Sequence, residues 1–280
     1  MTASPPEPLR HADPATTFLG LELGADGAPT VLPVVPGLCT PFGRLYGGSG
    51  LAACVLSAEA ATGRPIVWIT TQYVDNAVPG ERVELTTEVV VAGRATSQTH
   101  VHGTVDGRTV LHATAAHTDR PIGARTWWGT MPAISPPEQC TPMEIELAGR
   151  PMPYCFVNRM DRVVPPEQPA LVEQGRAAVW VKLPEWPIGS AASQGFAADI
   201  VPMAMAMALG RPPGGTSLDN TVRIVAAEPT DDWVLLDIEC EGFNRSIGIG
   251  RVRLWRRDGT LIGVGTQSCI MRTSHQTRAR

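Results

Sequence analysis

Lysine is almost missing from this chain of 280 residues, where Lys182 stands alone and arginine supplies the other 22 of 23 cations. A GC-rich coding sequence produces the same bias, so the arginines are no phosphate-binding signature by themselves. Positive charge is short as well. Against 27 Asp and Glu the net charge is −4, which speaks against nucleic-acid binding through phosphate neutralisation. No C-x-x-C pair links the six cysteines at 39, 54, 140, 155, 240 and 269, and a long chain with dispersed cysteines is not a small disulfide scaffold. Long apolar runs are absent too. The most apolar helical candidate, 200–209, falls well short of the ~18 residues of a membrane span. Residues 1–14 are rich in proline without an apolar core, so no secretory leader is expected. A soluble, cytoplasmic protein is the expectation.

What is present is an ordinary globular composition, 43% apolar and 18% charged, which excludes wholesale disorder. The 28 glycines and 26 prolines imply many turns. Residues 1–14 read as a flexible tail, and Phe18 to Tyr46 as strand-like with breaks at Ala25-Asp26-Gly27 and at prolines 29, 33 and 36. After Gly47-Gly48-Ser49-Gly50, small helix-forming residues predict a helix over 49–62, stopped by Gly63 and Pro65. It carries one acid, Glu59, and few large side chains, which suits a helix enclosed by a sheet. Four strand signals follow (66–74, 83–91, 96–105 and 109–117), with Asp106-Gly107 as a hairpin turn. After an irregular stretch, 123–155, strand signals resume at 177–183. A Met/Ala-rich helix is predicted over 199–210. Four more strand signals then appear at 217–225, 233–240, 246–255 and 260–270.

The two halves repeat one another. Asp106-Gly107 matches Asp258-Gly259 at a spacing of 152 residues, Glu88 matches Glu239 at 151, and Pro79 matches Pro229 at 150. Helix and strand order match as well, which identifies a tandem duplication. Each copy is too small to cover its own sheet, so two copies joined edge to edge, with their helices on the concave face, form one unit. The expected organisation is a tail at 1–14, a first repeat at 15–122, a linker at 123–155 and a second repeat at 156–275. Superposed, Gly48 should fall on Asp199 and Ala115 on Gln267. The exposed convex face and free edges of such a unit call for a homodimer or larger assembly.

Most candidate sites have a plainer explanation. Ser49 lacks the glycine that a G-x-S-x-G nucleophile elbow needs at position 51, where Leu51 stands, and it reads as a helix N-cap. The same stretch read as G-x-G-x-x-A lacks the βαβ setting of a dinucleotide site. His100 and His102 share a strand face that could hold a metal, but no third ligand lies near them in sequence. Met203, Met205 and Met207 suit either an acyl-chain tunnel or an ordinary core. Asp199 opens the second helix as its N-cap, with Pro202 in the first turn. Gln267 shares a strand face with Gly263 and Gly265, which leaves room beside its amide. Ser217 begins the strand after the helix.

Tyr46-Gly47-Gly48, the Pro79-Gly80-Glu81 turn and the Asp-Gly hairpin of the first half resemble the acyl-CoA thioesterase II family. So do Ala197-Ala198-Asp199, Ser217-Leu218-Asp219-Asn220 and Gly265-Thr266-Gln267 of the second. The resemblance covers about residues 15–272. It implies an α+β double hot-dog fold, in which an antiparallel sheet wraps a helix in each half. It further implies that Asp199, Ser217 and Gln267 hold a hydrolytic water for acyl-CoA thioesters. Three departures stand out: Asn220 where the family often has His, Tyr46 where single-domain relatives have His, and Thr70 and Tyr73 at His-rich positions.

The chemistry is coherent on its own terms. Asp199 can accept the water's proton, and Ser217 and Gln267 can orient it. Helix N-terminal amides around Gly48 can polarise the thioester oxygen as part of a substrate-binding site. No metal or cofactor is called for beyond the CoA of the substrate. The rivals are an enoyl-CoA hydratase, whose G-D-x-N-P-x-H motif is absent, and a non-catalytic acyl-CoA or lipid-binding protein on the same fold.

Overall fold

The computed structural model describes residues 14–24, 28–121, 123–124, 126–144, 152–212 and 214–271. The expected tail apart from Pro14, the break at 25–27, part of the expected linker (145–151) and the end of the expected second repeat (272–275) lie outside them. Pro14 opens a helix, α1 (Pro14–Leu19), followed by β1 (Thr30–Pro33) and a 3-10 turn at Pro36–Leu38. The stretch from Phe18 to Tyr46 is therefore mostly not strand. Ala15, Phe18 and Leu19 are buried on α1, and Phe18 packs on the rings of Trp186 and Phe196 at 5.1 and 5.2 Å. Distant aromatic packing outweighs the local pattern there.

The first repeat continues with α2 (Gly47–Thr62), β2 (Ile66–Tyr73), β3 (Arg82–Ala92), β4 (Thr96–Val105) and β5 (Arg108–Thr118). Then come β6 (Thr141–Pro142), β7 (Asp161–Val164), α3 (Gln168–Glu173) and β8 (Arg176–Lys182). The chain closes with α4 (Ala191–Ala198), α5 (Val201–Ala208), β9 (Thr216–Ile224), β10 (Val234–Asn244), β11 (Ile247–Arg256) and β12 (Leu261–Ile270). From Gly48 to Ala58 every residue of α2 is buried, as an all-round apolar helix must be. Gly63 ends it in the left-handed conformation, φ 62°, its N–H bonded to Glu59 O. Ser49 is not its N-cap. Tyr46 holds that position, and the Ser49 hydroxyl donates instead to Leu38 O at 3.1 Å.

The second helix departs further from expectation. It starts at Ala191, where the Ser190 side chain accepts from Ser193 N, and it breaks at Asp199-Ile200 before α5. Pro202 explains the break, because a residue without an N–H fits only the first turn of a helix. Asp199 thus ends α4 rather than opening a single helix over 199–210.

The twelve strands among the described residues lie in one antiparallel sheet, ordered β1-β3-β4-β5-β2-β9-β12-β11-β10-β8-β7-β6. From the centre outward the two sides match, β2-β5-β4-β3-β1 against β9-β12-β11-β10-β8. The duplication is thus visible in topology and in register: Ile69 pairs with Ala115 as Asn220 pairs with Gln267. The seam between β2 and β9 centres on Thr70 opposite Thr221, whose hydroxyls bond at 2.8 Å. These residues are 151 apart, equivalent to one another in the repeats, so a pseudo-twofold axis passes between them.

Turn chemistry sets the hairpins. Asp106 and Gly107 both have positive φ, 48° and 78°, as a two-residue type I′ turn requires. At the second hairpin only Gly259 is left-handed, and Gly259 N bonds Arg256 O, giving a longer turn with a glycine bulge. Outside the sheet, the expected linker is more than a tether. Trp127, Met131 and Ile134 pack on Trp180, Leu235 and Trp255, and Trp180 Nε1 donates to Ser135 O at 2.9 Å. This covers the outer face of the second half.

Helices α2 and α4 meet tightly at Gly195, where a Cβ would collide with the buried Leu51 side chain. Gly195→Ala should therefore cost about 1–3 kcal/mol through overpacking, read as a lower denaturant midpoint. An unchanged midpoint would mean that the two helices do not pack this closely.

Candidate active site

Asp199 sits where α4 stops, with φ −80° and ψ 62°, and is 8% exposed. The start of α2 has backbone N–H groups without intrahelical partners, and one of them, Gly48 N, donates to Asp199 Oδ2 at 2.8 Å. Asp199 therefore caps a helix, but the helix belongs to the other repeat. Its second oxygen, Oδ1, accepts from Ser217 Oγ at 3.1 Å and from Gln267 Nε2. Burial pushes the Asp199 carboxyl above its ordinary value, and the hydrogen bonds from Gln267, Ser217 and Gly48 pull the other way. Burial wins.

Gln267 is held as firmly as the carboxylate it serves. Val201 N, at the start of α5, donates to Oε1 at 3.2 Å, which fixes the amide so that Nε2 faces Asp199 and Ser217. Nε2 donates to Ser217 Oγ at 2.8 Å. Ser217 thus gives its proton to Asp199 and accepts one from Gln267. A β-bulge places it there. Ser268 pairs with Asp219 and Cys269 with Ser217, so Leu218 is an extra residue that turns Ser217 to the same face as Asn220 and Gln267.

The two glycines before Ser49 follow from this approach. A Cβ on Gly47 would lie 2.5 Å from Asp199 Oδ2 and 3.0 Å from the Tyr73 ring, and one on Gly48 would lie 2.5 Å from Phe196 O. Tyr46 closes the contact: its hydroxyl lies 2.9 Å from both Phe196 O and Asp199 O, carbonyls at the end of α4. Its ring stacks on Phe156 at 3.8 Å. Tyr73 donates to Gly47 O at 2.9 Å. Sequence reasoning marked both tyrosines only as departures from a pattern, whereas here they brace the α2–α4 junction.

Asp199, Ser217 and Gln267 are thus brought together, and Gly48 with them. One expectation changes. The Gly48 N–H is given to Asp199, so it holds the carboxylate rather than facing a thioester oxygen. The room expected beside Gly263 and Gly265 is also filled, by the Gln194 side chain at Gly263 and by Val252 and Ala198 at Gly265.

Other candidates lie apart from the triad. His100, His102 and His112 border a shallow cavity of about 330 Å³ with Thr86 and Glu88 on the sheet's outer face. Among the described residues no group of three or more His, Cys, Asp or Glu could hold a metal ion. Met203 and Met207 line a cavity of about 250 Å³ with Gln168 and Arg211, whereas Met205 is buried. Neither cavity is lined by Asp199, Ser217 or Gln267. No helix among the described residues is long and apolar enough to cross a membrane.

Two helices wrapped by one palindromic antiparallel sheet define an α+β double hot-dog protein. Family models agree: the acyl-CoA thioesterase N-terminal domain matches residues 35–118 and the C-terminal domain matches 137–271. A thioesterase candidate from Novosphingobium aromaticivorans is 30% identical, covering 91% of this chain and 100% of its own, with a TM-score of 0.82. A hot-dog protein from Alicyclobacillus acidocaldarius (19% identity, 95% and 99% coverage, TM-score 0.80) shares the fold. So does an acyl-CoA thioesterase II from Mycobacterium marinum (16%, 93% and 99%, TM-score 0.73). No curated protein matches the chain by sequence. The chain belongs to the acyl-CoA thioesterase family. It is a thioesterase, with acyl-CoA as its substrate class.

Gly47 gives a direct check on the junction. Gly47→Ala puts a methyl group against Asp199 Oδ2 and should lower thioester turnover by about 10²-fold, as a misplacement near 1 Å does. Free-thiol release from acyl-CoA reads the effect, and full turnover would place Asp199 elsewhere.

Proposed function

We propose that this thioesterase hydrolyses acyl-CoA by direct attack of a water that Asp199 deprotonates and that Ser217 and Gln267 help to orient. The observation that carries this reading is a buried carboxylate at the repeat junction that receives three hydrogen bonds. Asp199 takes one proton as the water oxygen attacks the thioester carbonyl carbon. The carbon–sulfur bond of the tetrahedral adduct breaks, the acyl group leaves as the free acid, and the CoA sulfur takes the proton back. In this reading no acyl-enzyme forms, and neither metal nor cofactor takes part. Gly48 serves by holding the base.

Asp199→Asn keeps the size of the side chain and removes the base, so kcat should fall by about 10²–10⁴-fold. Ser217→Ala and Gln267→Ala should cost less, because the base stays. The pH profile gives an independent sign. The base works only when ionised, so turnover falls as pH drops through its folded pKa. Burial raises that pKa, which sets the acid limb above the range of a free aspartate. An acyl-CoA panel assayed for free thiol across pH tests both points. Full turnover in Asp199→Asn would defeat the reading.

We further propose that the protein works as a homodimer or larger assembly. The edge strands β1 and β6 are short and each ends in proline, so edge pairing is not the drive. Support comes from the outer face: the linker covers it in the second half, while Val90 and Val91, opposite the outward Gln98, are exposed in the first. Light scattering should give a mass at least twice 29.8 kDa, and a monomer at micromolar concentration would count against it.

A further inference from the structure

Two buried polar side chains beside the triad have no hydrogen-bond partner among the described residues. Asn220 and Thr71 are each 0% exposed, yet Asn220 Oδ1 and Nδ2 and Thr71 Oγ1 are all unbonded. The two residues are directly opposite across the β2–β9 seam, and Asn220 is directly opposite Gln267 across β9–β12. Cross-strand partners point to one face of a sheet. Thr71, Asn220 and Gln267 therefore make a continuous polar row on the face that carries Asp199.

The pseudo-twofold axis shows that the fold does not need this row. Its equivalent in the other half is Val222, Ile69 and Ala115, in the same register and at most 1% exposed. One backbone arrangement thus holds three apolar side chains on one side of the axis and three polar ones on the other. Buried polar groups without partners are costly, and here that cost sits next to the triad. Asn220 and Gln267 are direct partners on adjacent strands. The Ser217 bulge lies three residues before Asn220 on the same strand.

From this row we infer that Asn220, assisted by Thr71, is a water-positioning residue for thioester hydrolysis, an inference that rests on the water-attack reading above. A water that gives one proton to Asp199 still has a second O–H, which must be accepted if its lone pair is to stay aimed. The Asn220 carboxamide offers that acceptor, and its N–H groups with the Thr71 hydroxyl can bind a further water in a short chain. No group is consumed and no bond to the protein forms.

The test uses the full-length enzyme with Asn220→Leu, Thr71→Val and Thr71→Ser, with Asp199→Asn in parallel. Asn220→Leu should lower kcat about 10- to 100-fold, the scale of a lost positioning contact, with KM changed less than about twofold. Thr71→Val should lower kcat less, and Thr71→Ser should restore it. The melting temperatures of the two apolar variants should be unchanged or higher, because each copies the apolar row of the first half. Their acid limb should stay at the wild-type pH, since Asp199 is intact. Full kcat in Asn220→Leu overturns the inference, and so does a melting temperature lowered in both apolar variants, which marks a structural role. If Asp199→Asn loses turnover while Asn220→Leu keeps it, this inference alone fails. If Asp199→Asn keeps turnover, the water-attack reading itself has failed.

Discussion

The hydrogen bond from Gly48 N to Asp199 is the constraint on which most of the structure depends. It joins the start of one repeat's helix to the end of a helix in the other, and both ends are buried. To bring them within 2.8 Å, positions 47 and 48 must lack side chains, α4 must stop at Asp199, and the Phe196 and Asp199 carbonyls must find a donor. Tyr46 is that donor. The partial positive charge of a helix N-terminus favours a carboxylate, which offsets part of the burial that raises the Asp199 pKa. The result is a carboxylate more basic than a free one and still able to ionise. A positioned general base needs that balance.

Duplication supplied the frame, and divergence made one side of it polar. Across the axis at Thr70 and Thr221 the strand registers agree residue by residue, while Ala115 stands where the second half has Gln267. The first repeat gives a backbone amide and a floor of Ile69 and Ala115. The second gives the ionisable group and its donors. A site built at the seam of two copies needs only one set of polar residues, and the other copy is free to pack apolar chains tightly.

Much of this was legible in the sequence, and the reason is local. The all-small α2, its Gly63 stop, the Asp-Gly hairpins and the spacing near 151 residues all depend on nearby propensity or on repetition. Asp199, Ser217 and Gln267 were found through resemblance, and the structure brings them together. What was not legible depends on distant partners. The α1 helix forms because Phe18 meets Trp186 and Phe196, some 170 residues away in the chain. The break before α5 turns on where Pro202 sits relative to the Ser190 cap. Asp199 looked like the cap of its own helix because a sequence shows no helix from another repeat. The bulge at Leu218 is invisible until β9 is laid beside β12.

The reactive side chains near Asp199 bear on the proposal that a water is the nucleophile. Cys269 is fully buried, and burial together with the Asp199 charge pushes its thiol up to about 12, so it carries almost no thiolate near neutral pH. Cys54, within α2, is pushed to about 12 by burial alone. Among the described residues no histidine is hydrogen-bonded to Ser217. Its hydroxyl proton is directed at Asp199 and one of its lone pairs is taken by Gln267, which suits the orienting role proposed for it. An activated serine needs a base that can move its proton away while the oxygen stays free to attack. Here that oxygen is already an acceptor within the triad. A water carries no such obligation: it can give its proton to the carboxylate and leave with the acyl group.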